Sequence, residues 1–238
     1  MQLLWCESDD SFNSLAAEHV LAALLRKPDL TIALPTGRTP LGLYSELRSS
    51  SVAFNRVRWF NLDEYVGLSA TDRASYAQFL RTHLLDELGV PDTNVRLIRG
   101  DAADIQAECR AYDEAIARAK GLDLAILGLG ANGHIAFNEP GSGWHQTTHV
   151  VTLTELTRAA NSQEGQSVPP CGITMGIGTL SSAREILLLV SGESKVDALQ
   201  ALLQGRPDLM WPVTSLLEHP RLTVIADERL RPGSRAVR

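Results

Sequence analysis

At 238 residues, with 44% hydrophobic and 21% charged side chains, the chain has an ordinary globular composition and enough length to bury one large core. Its formal net charge of −6 argues against a nucleic-acid-binding surface but allows a local basic pocket for an anionic small molecule. Cys6, Cys109 and Cys171 form no C-x-x-C pair, and residues 1–10 lack the basic and apolar regions of a signal peptide, so reduced thiols, a cytoplasmic location and no membrane span are expected.

Asp10 or Ser11 is expected to cap a first helix that carries Phe12, Leu15, Ala16, Leu21, Ala22 and Leu25 and closes at Pro28. Residues 30–34 then read as a strand. Pro40 opens a helix through Leu41, Tyr44 and Leu47, and a strand over 57–60 runs into Asn61-Leu62-Asp63-Glu64-Tyr65. Ser75 caps a helix over Phe79, Leu80, His83, Leu84 and Leu88 that stops before Gly89. A charged helix over 104–120 ends at Gly121 and feeds an apolar strand over 122–127. Residues 155–160 are expected to be helical, and 144–170 to form a mobile lid whose most polar part, 162–170, ends in two prolines. A strand over 185–190, the turn Gly192-Glu193-Ser194-Lys195, a helix over Val196, Leu199 and Leu202, and a last strand over 222–226 follow. This alternation predicts one α/β domain spanning 1–238, a doubly wound, mostly parallel sheet with helices on both faces.

The chain is organised around Gly128-Leu129-Gly130-Ala131-Asn132-Gly133-His134-Ile135-Ala136-Phe137-Asn138-Glu139-Pro140-Gly141, which follows the 122–127 strand. Open α/β sheets place ligands at the carboxyl ends of their strands. Gly128, Gly130 and Gly133 spell G-x-G-x-x-G, but a dinucleotide site needs a helix opening on the glycines, and Asn138-Glu139-Pro140-Gly141 would stop that helix after barely two turns. The glycines instead let backbone approach a ligand, with one imidazole and one carboxylate close behind. A plain turn with His134 satisfied in the core is the alternative.

A second candidate follows the 30–34 strand, where Pro35-Thr36-Gly37-Arg38-Thr39-Pro40 leads into a helix. Turn N–H groups, the hydroxyls of Thr36 and Thr39 and the positive end of the helix make a phosphate cradle. Arg158 and Lys195, beside later strand-end loops, supply charges that a dianion needs. Each of these groups is otherwise an ordinary turn or surface residue.

Leu34-Pro35-Thr36-Gly37-Arg38-Thr39-Pro40, Phe60-Asn61-Leu62-Asp63-Glu64-Tyr65-Val66-Gly67-Leu68, the His134–Pro140 stretch, Thr157-Arg158-Ala159-Ala160-Asn161-Ser162 and Gly176-Ile177-Gly178-Thr179-Leu180 together resemble the glucosamine-6-phosphate deaminase (isomerase) family over nearly the whole chain. The resemblance implies a Rossmann-like fold of the sugar-phosphate isomerase type. It also implies cofactor-independent and metal-free conversion of glucosamine 6-phosphate and water into fructose 6-phosphate and ammonia. Asp63 matches the base that moves a proton between C2 and C1. His134 matches the group that opens the sugar ring, with Asn132 and Glu139 holding its imidazole. Thr36, Gly37, Arg38, Thr39, Arg158 and Lys195 match phosphate-binding positions.

These residue types suit that chemistry. Opening a hemiacetal needs a proton taken from one oxygen and returned to another, which imidazole does near neutral pH. The aldose-to-ketose shift needs a carboxylate on one face of the C1–C2 bond. An aspartate of ordinary pKa, about 3.9, is a weak base, so desolvation and positioning must supply much of the rate. By themselves, Asp63-Glu64 reads first as a helix-start or surface acid pair, and Glu139 as a loop acid ahead of Pro140.

The sequence departs from the family in two places. Asn132 stands where some members carry aspartate, which implies a lower histidine pKa here, and Arg38 replaces a small residue in the cradle. Longer members form hexamers with an allosteric activator, using a C-terminal extension and basic residues near the positions of His149 and Val151. Lacking these, the chain is expected to be non-allosteric and monomeric, with at most a weak dimer, and to partner only a small-molecule sugar phosphate. A 6-phosphogluconolactonase-like hydrolase and a non-enzymatic sugar-phosphate sensor are the rival functions.

Overall fold

The computed structural model describes residues 1–161 and 168–233. The strands are β1 (Gln2–Cys6), β2 (Thr31–Leu34), β3 (Arg58–Asn61), β4 (Asp63–Tyr65), β5 (Val95–Arg96), β6 (Leu124–Gly128), β7 (His149–Thr152), β8 (Cys171–Thr174), β9 (Glu185–Val190) and β10 (Leu222–Asp227). The α-helices are α1 (Asp9–Arg26), α2 (Leu41–Ser49), α3 (Tyr76–Leu80), α4 (Ile105–Arg118), α5 (Glu155–Asn161), α6 (Ile177–Ser181) and α7 (Val196–Leu203).

Seven strands form one parallel sheet in the order β1-β10-β9-β6-β2-β3-β5. Alternate side chains feed two cores. Ile32, Leu34, Leu124, Ile126, Leu187 and Leu189 pack on one face with Val20 of α1, Leu43 and Tyr44 of α2 and Leu80 of α3. Ala33, Ala125, Leu127, Ile186, Leu188 and Val190 pack on the other with Tyr112 of α4, Leu180 of α6 and Leu199 of α7. Strands covered on both faces need these near-continuous apolar runs, and the doubly wound expectation holds.

The sheet order has a functional consequence. β3, β2, β6 and β9 are consecutive neighbours, so the loops leaving their carboxyl ends open onto one edge of the sheet.

Several details differ from expectation. Ser8, rather than Asp10 or Ser11, caps α1: its hydroxyl accepts the Ser11 N–H at 3.1 Å in a reciprocal capping box. Asp9 and Asp10 fall in the first turn, where acids suit the helix's positive end. The helix capped by Ser75 is regular only through Leu80 and continues as a π-turn over Arg81–Leu85. The strand β1 was not foreseen, because a half-exposed edge strand carries a weak apolar signal.

A second, three-stranded antiparallel sheet, β4-β8-β7, was also missed. It holds Asp63 in register with Thr174 and Glu64 with Ile173. Of the expected lid, β7, α5 and residues 168–170 are described, whereas 162–167 lie outside the described residues. No described helix is long and apolar enough to cross a membrane.

Candidate active site

The glycine-rich loop after β6 is folded around the imidazole of His134. Gly130 N–H donates to the His134 carbonyl at 2.9 Å, and a Cβ on Gly130 would lie 2.3 Å from the ring. Gly133 has φ +82° and its missing Cβ would meet Trp211 at 2.7 Å, so these glycines serve a tight turn and the seating of two aromatic rings. Ala136 is held at φ 51°, an unusual conformation for a residue with a side chain.

A hydrogen-bond chain orients the ring. Asn132 Oδ1 pairs with His134 Nδ1 at 2.7 Å and accepts the His134 backbone N–H at 3.2 Å, while Asn132 Nδ2 donates to Glu139 Oε2 at 2.8 Å. Because Oδ1 accepts the backbone N–H, it faces Nδ1 as an acceptor, so Nδ1 carries the ring proton and Nε2 keeps its lone pair. Glu139 itself is 4.0 Å from Nδ1 and works through the amide. Its other oxygen accepts the hydroxyls of Thr157 and, at 3.3 Å, Thr154. Burial lowers the pKa of His134 and the nearby charge of Lys195 adds to that, against an upward pull from Glu139. The ring is therefore neutral near pH 7, with 23% of its side chain open to solvent.

Asp63 sits on the opposite wall. Its position is set by Asn61, whose Nδ2 donates to the Asp63 carbonyl at 2.7 Å and whose Oδ1 accepts the Ile98 N–H at 2.9 Å. The Asp63 side chain is buried, and among the described residues no hydrogen bond or ion pair holds its carboxylate. Burial first, and then the charge of Glu64, push its pKa well above the ordinary aspartate value. Desolvation is thus built into the site as it stands. Glu64, by contrast, is fully engaged: it accepts the N–H groups of Tyr65, Tyr76 and Ala77 at 2.8, 3.0 and 2.8 Å and the Ser75 hydroxyl at 2.9 Å.

The two walls meet at Thr174. It lies opposite Asp63 in β8, and its hydroxyl accepts the Phe137 N–H from the histidine loop at 3.1 Å. Asn138 Nδ2 donates to Met175 O at 2.8 Å, and Met175 N–H donates to Leu62 O at 2.7 Å. The Tyr65 and Phe137 rings, 5.4 Å apart, close the junction.

The cradle after β2 is close by. Thr36 lies near the Tyr76 side chain, whose hydroxyl meets Tyr65 at 3.0 Å and the Asn161 amide at 3.2 Å and feels the charge of Asp63. Gly37 has φ +97°, with open space where a Cβ would be. No side chain caps the start of α2, and its first N–H, that of Leu41, donates to Arg38 O at 3.2 Å.

Lys195 is half-buried, burial lowers its pKa, and its charge reaches His134. Arg38 is exposed. Arg158 uses Nε to donate to Val168 O at 3.2 Å.

Asp63, Asn132, His134, Glu139, Thr36 and Lys195 are therefore linked through shared neighbours. Arg158 touches that group through its backbone N–H, which donates to Thr154 O at 3.0 Å, whereas Arg38 is exposed. Sequence reading assigned no part to Tyr76, Thr154, Thr157 or Thr174. The Thr154-x-x-Thr157 spacing, which puts two hydroxyls on one helical turn, was the available signal.

The family model described as "Glucosamine-6-phosphate isomerases/6-phosphogluconolactonase" matches residues 8–225. A glucosamine-6-phosphate deaminase from Lysinibacillus sphaericus is 40% identical over 230 residues, covering 93% of this chain and 97% of that protein. Another from Bacillus velezensis is 40% identical over 240 residues, covering 98% and 100%. A solved monomeric glucosamine-6-phosphate deaminase superposes with a TM-score of 0.94 at 36% identity, covering 97% of this chain and 98% of that one. A 6-phosphogluconolactonase from Thermotoga maritima shares the fold, with a TM-score of 0.76 at 23% identity.

Proposed function

The chain belongs to the glucosamine-6-phosphate isomerase/6-phosphogluconolactonase family, and on that footing we propose that it is a monomeric glucosamine-6-phosphate deaminase, converting glucosamine 6-phosphate and water to fructose 6-phosphate and ammonia. The observation that carries this reading is the shared anchor at Thr174, which joins the strand of Asp63 to the loop of His134 so that both can serve one six-carbon substrate. The full-length 40% identical relatives are deaminases, and the lactonase likeness is one of fold alone.

In this reading the phosphate rests on the cradle of Thr36, Gly37, Arg38 and Thr39, with Lys195 and Arg158 as its cations. Nε2 of His134 takes the C1 hydroxyl proton and returns it to the ring oxygen as the pyranose opens. Asp63 then removes the C2 proton and delivers it to C1 while a proton passes from the amine nitrogen to O1, leaving an alcohol at C1 and an imine at C2. Water adds to that carbon and ammonia departs. A desolvated aspartate of raised pKa is a stronger base than an exposed one, which suits abstraction from carbon. A cytoplasmic setting accords with three free cysteines.

The test is an assay for ammonia and fructose 6-phosphate with wild type beside Asp63→Asn. Acid release from 6-phosphogluconolactone without ammonia would assign the lactonase instead. Tight sugar-phosphate binding without turnover would assign a sensor.

A further inference from the structure

We propose that Thr157 is a positioning residue for His134, acting from the first turn of α5 through the carboxylate of Glu139 and the amide of Asn132. This deepens the deaminase reading and rests on it, because it takes His134 as the ring-opening group. Thr157 is 1% exposed, and its hydroxyl donates to Glu139 Oε1. The opposite oxygen, Oε2, accepts Asn132 Nδ2 at 2.8 Å. Asn132 Oδ1 in turn faces His134 Nδ1 at 2.7 Å.

The direction of each bond follows from donor and acceptor capacity. A carboxylate only accepts, so an amide between a carboxylate and an imidazole must turn Nδ2 to the first and Oδ1 to the second. That arrangement requires Glu139 to keep Oε2 on Asn132. Thr157 is the buried group that keeps it there. Thr154 reaches the same oxygen at 3.3 Å, but its single hydroxyl proton is shared with Thr157 Oγ at 3.1 Å, so it is the weaker tether.

Without the Thr157 hydroxyl, Oε1 keeps only the longer bond from Thr154, and the carboxylate gains by rotating toward Nδ1, now 4.0 Å away. The ring would then face a charged acceptor in place of the neutral amide, which turns it from its place and favours its protonated form. The same short helix carries Asn161, whose amide donates to Tyr76 beside the cradle residue Thr36. Seating of α5 and alignment of the imidazole are therefore one event, which gives a buried threonine a role that valine of similar shape would not fill.

The experiment compares Thr157→Val and Thr157→Ser with wild type, by steady-state kinetics on glucosamine 6-phosphate and by 15N NMR of the His134 ring. Thr157→Val is expected to lower kcat about tenfold (about 1.4 kcal/mol) with KM within about twofold, and to move the pH at which the His134 ring signals titrate upward. Thr157→Ser is expected to restore both. A valine variant with unchanged kcat and ring signals, or a serine variant as impaired as valine, overturns the proposal. Should Thr157→Val not fold, Thr157→Cys, whose thiol is a weak donor of similar size, is expected to show the same pattern at about threefold, and no change there overturns the proposal. If wild type releases no ammonia, the functional reading falls while the ring signals still decide the role of Thr157.

Discussion

Thr174 stands opposite Asp63 in the antiparallel register of β4 and β8, and its hydroxyl accepts the N–H of Phe137, three residues beyond His134. One side chain thus couples the strand that carries the proposed base to the loop that carries the proposed ring opener. Thr174→Val removes the acceptor and leaves a buried N–H without its partner. It is expected to cost about 1–3 kcal/mol of stability and to lower kcat more than it raises KM. Urea denaturation and steady-state kinetics on the same preparation check both.

Asp63→Asn is expected to abolish most activity, by about 10²–10⁴-fold, and also to stabilise the protein at neutral pH. The pKa of Asp63 is raised, so the folded state holds its proton more tightly than the unfolded state. The cost of ionising it is absent below the ordinary aspartate value, grows as pH rises through the unfolded pKa, and is complete above the folded one. The stability advantage of Asp63→Asn should therefore vanish in acid and widen toward neutrality, as read by denaturant melts across pH. For the same reason the acid limb of kcat/KM in the wild type should fall at a higher pH than an ordinary aspartate titrates.

His134 has a lowered pKa from burial and from Lys195, opposed by Glu139. Asn132→Asp adds a carboxylate beside Nδ1, and Lys195→Met removes a cation, so both should move the histidine limb of the pH–rate profile upward. They differ in KM: Lys195→Met should raise it for the phosphorylated substrate, whereas Asn132→Asp should leave it nearly unchanged. Limbs that stay in place in both variants would contradict this electrostatic account.

Gly130→Ala places a Cβ 2.3 Å from the His134 ring, so the imidazole or the loop has to move. Overpacking of this kind costs about 1–3 kcal/mol, and the activity loss should exceed what that destabilisation explains. Thermal melts beside kcat separate the two effects.

Gly37→Ala acts on the cradle instead. With φ at +97° and no neighbour near the missing Cβ, the penalty is conformational rather than steric, about 1–2 kcal/mol. KM for the sugar phosphate should rise while kcat changes little, because in the proposed function the turn grips the phosphoryl end and not the reacting carbons.

The parallel sheet was readable because buried strands such as β6 and β9 are short apolar runs bounded by turn residues, a signal intrinsic to the chain. The cap at Ser75 was readable for the same local reason. The small sheet of β4, β7 and β8 was not. β4 has only three residues, two of them acidic, and its pairing with β8 joins segments more than one hundred residues apart. Propensity over a few residues cannot anticipate such pairing.

The proposed site groups and their order along the chain, Thr36 to Thr39, Asp63, Asn132, His134, Glu139 and Lys195, came from residue type, from position after predicted strands and from the family resemblance. Which of them share neighbours, which stay uncharged and which act through another were decided only when the chain closed on itself. Burial raised Asp63 and lowered His134, and a register between distant strands brought Thr174 under both walls. Solvent exclusion and hydrogen-bond direction belong to the packed surroundings of a residue. A one-dimensional pattern names the groups, but the energy of each depends on what surrounds it in space.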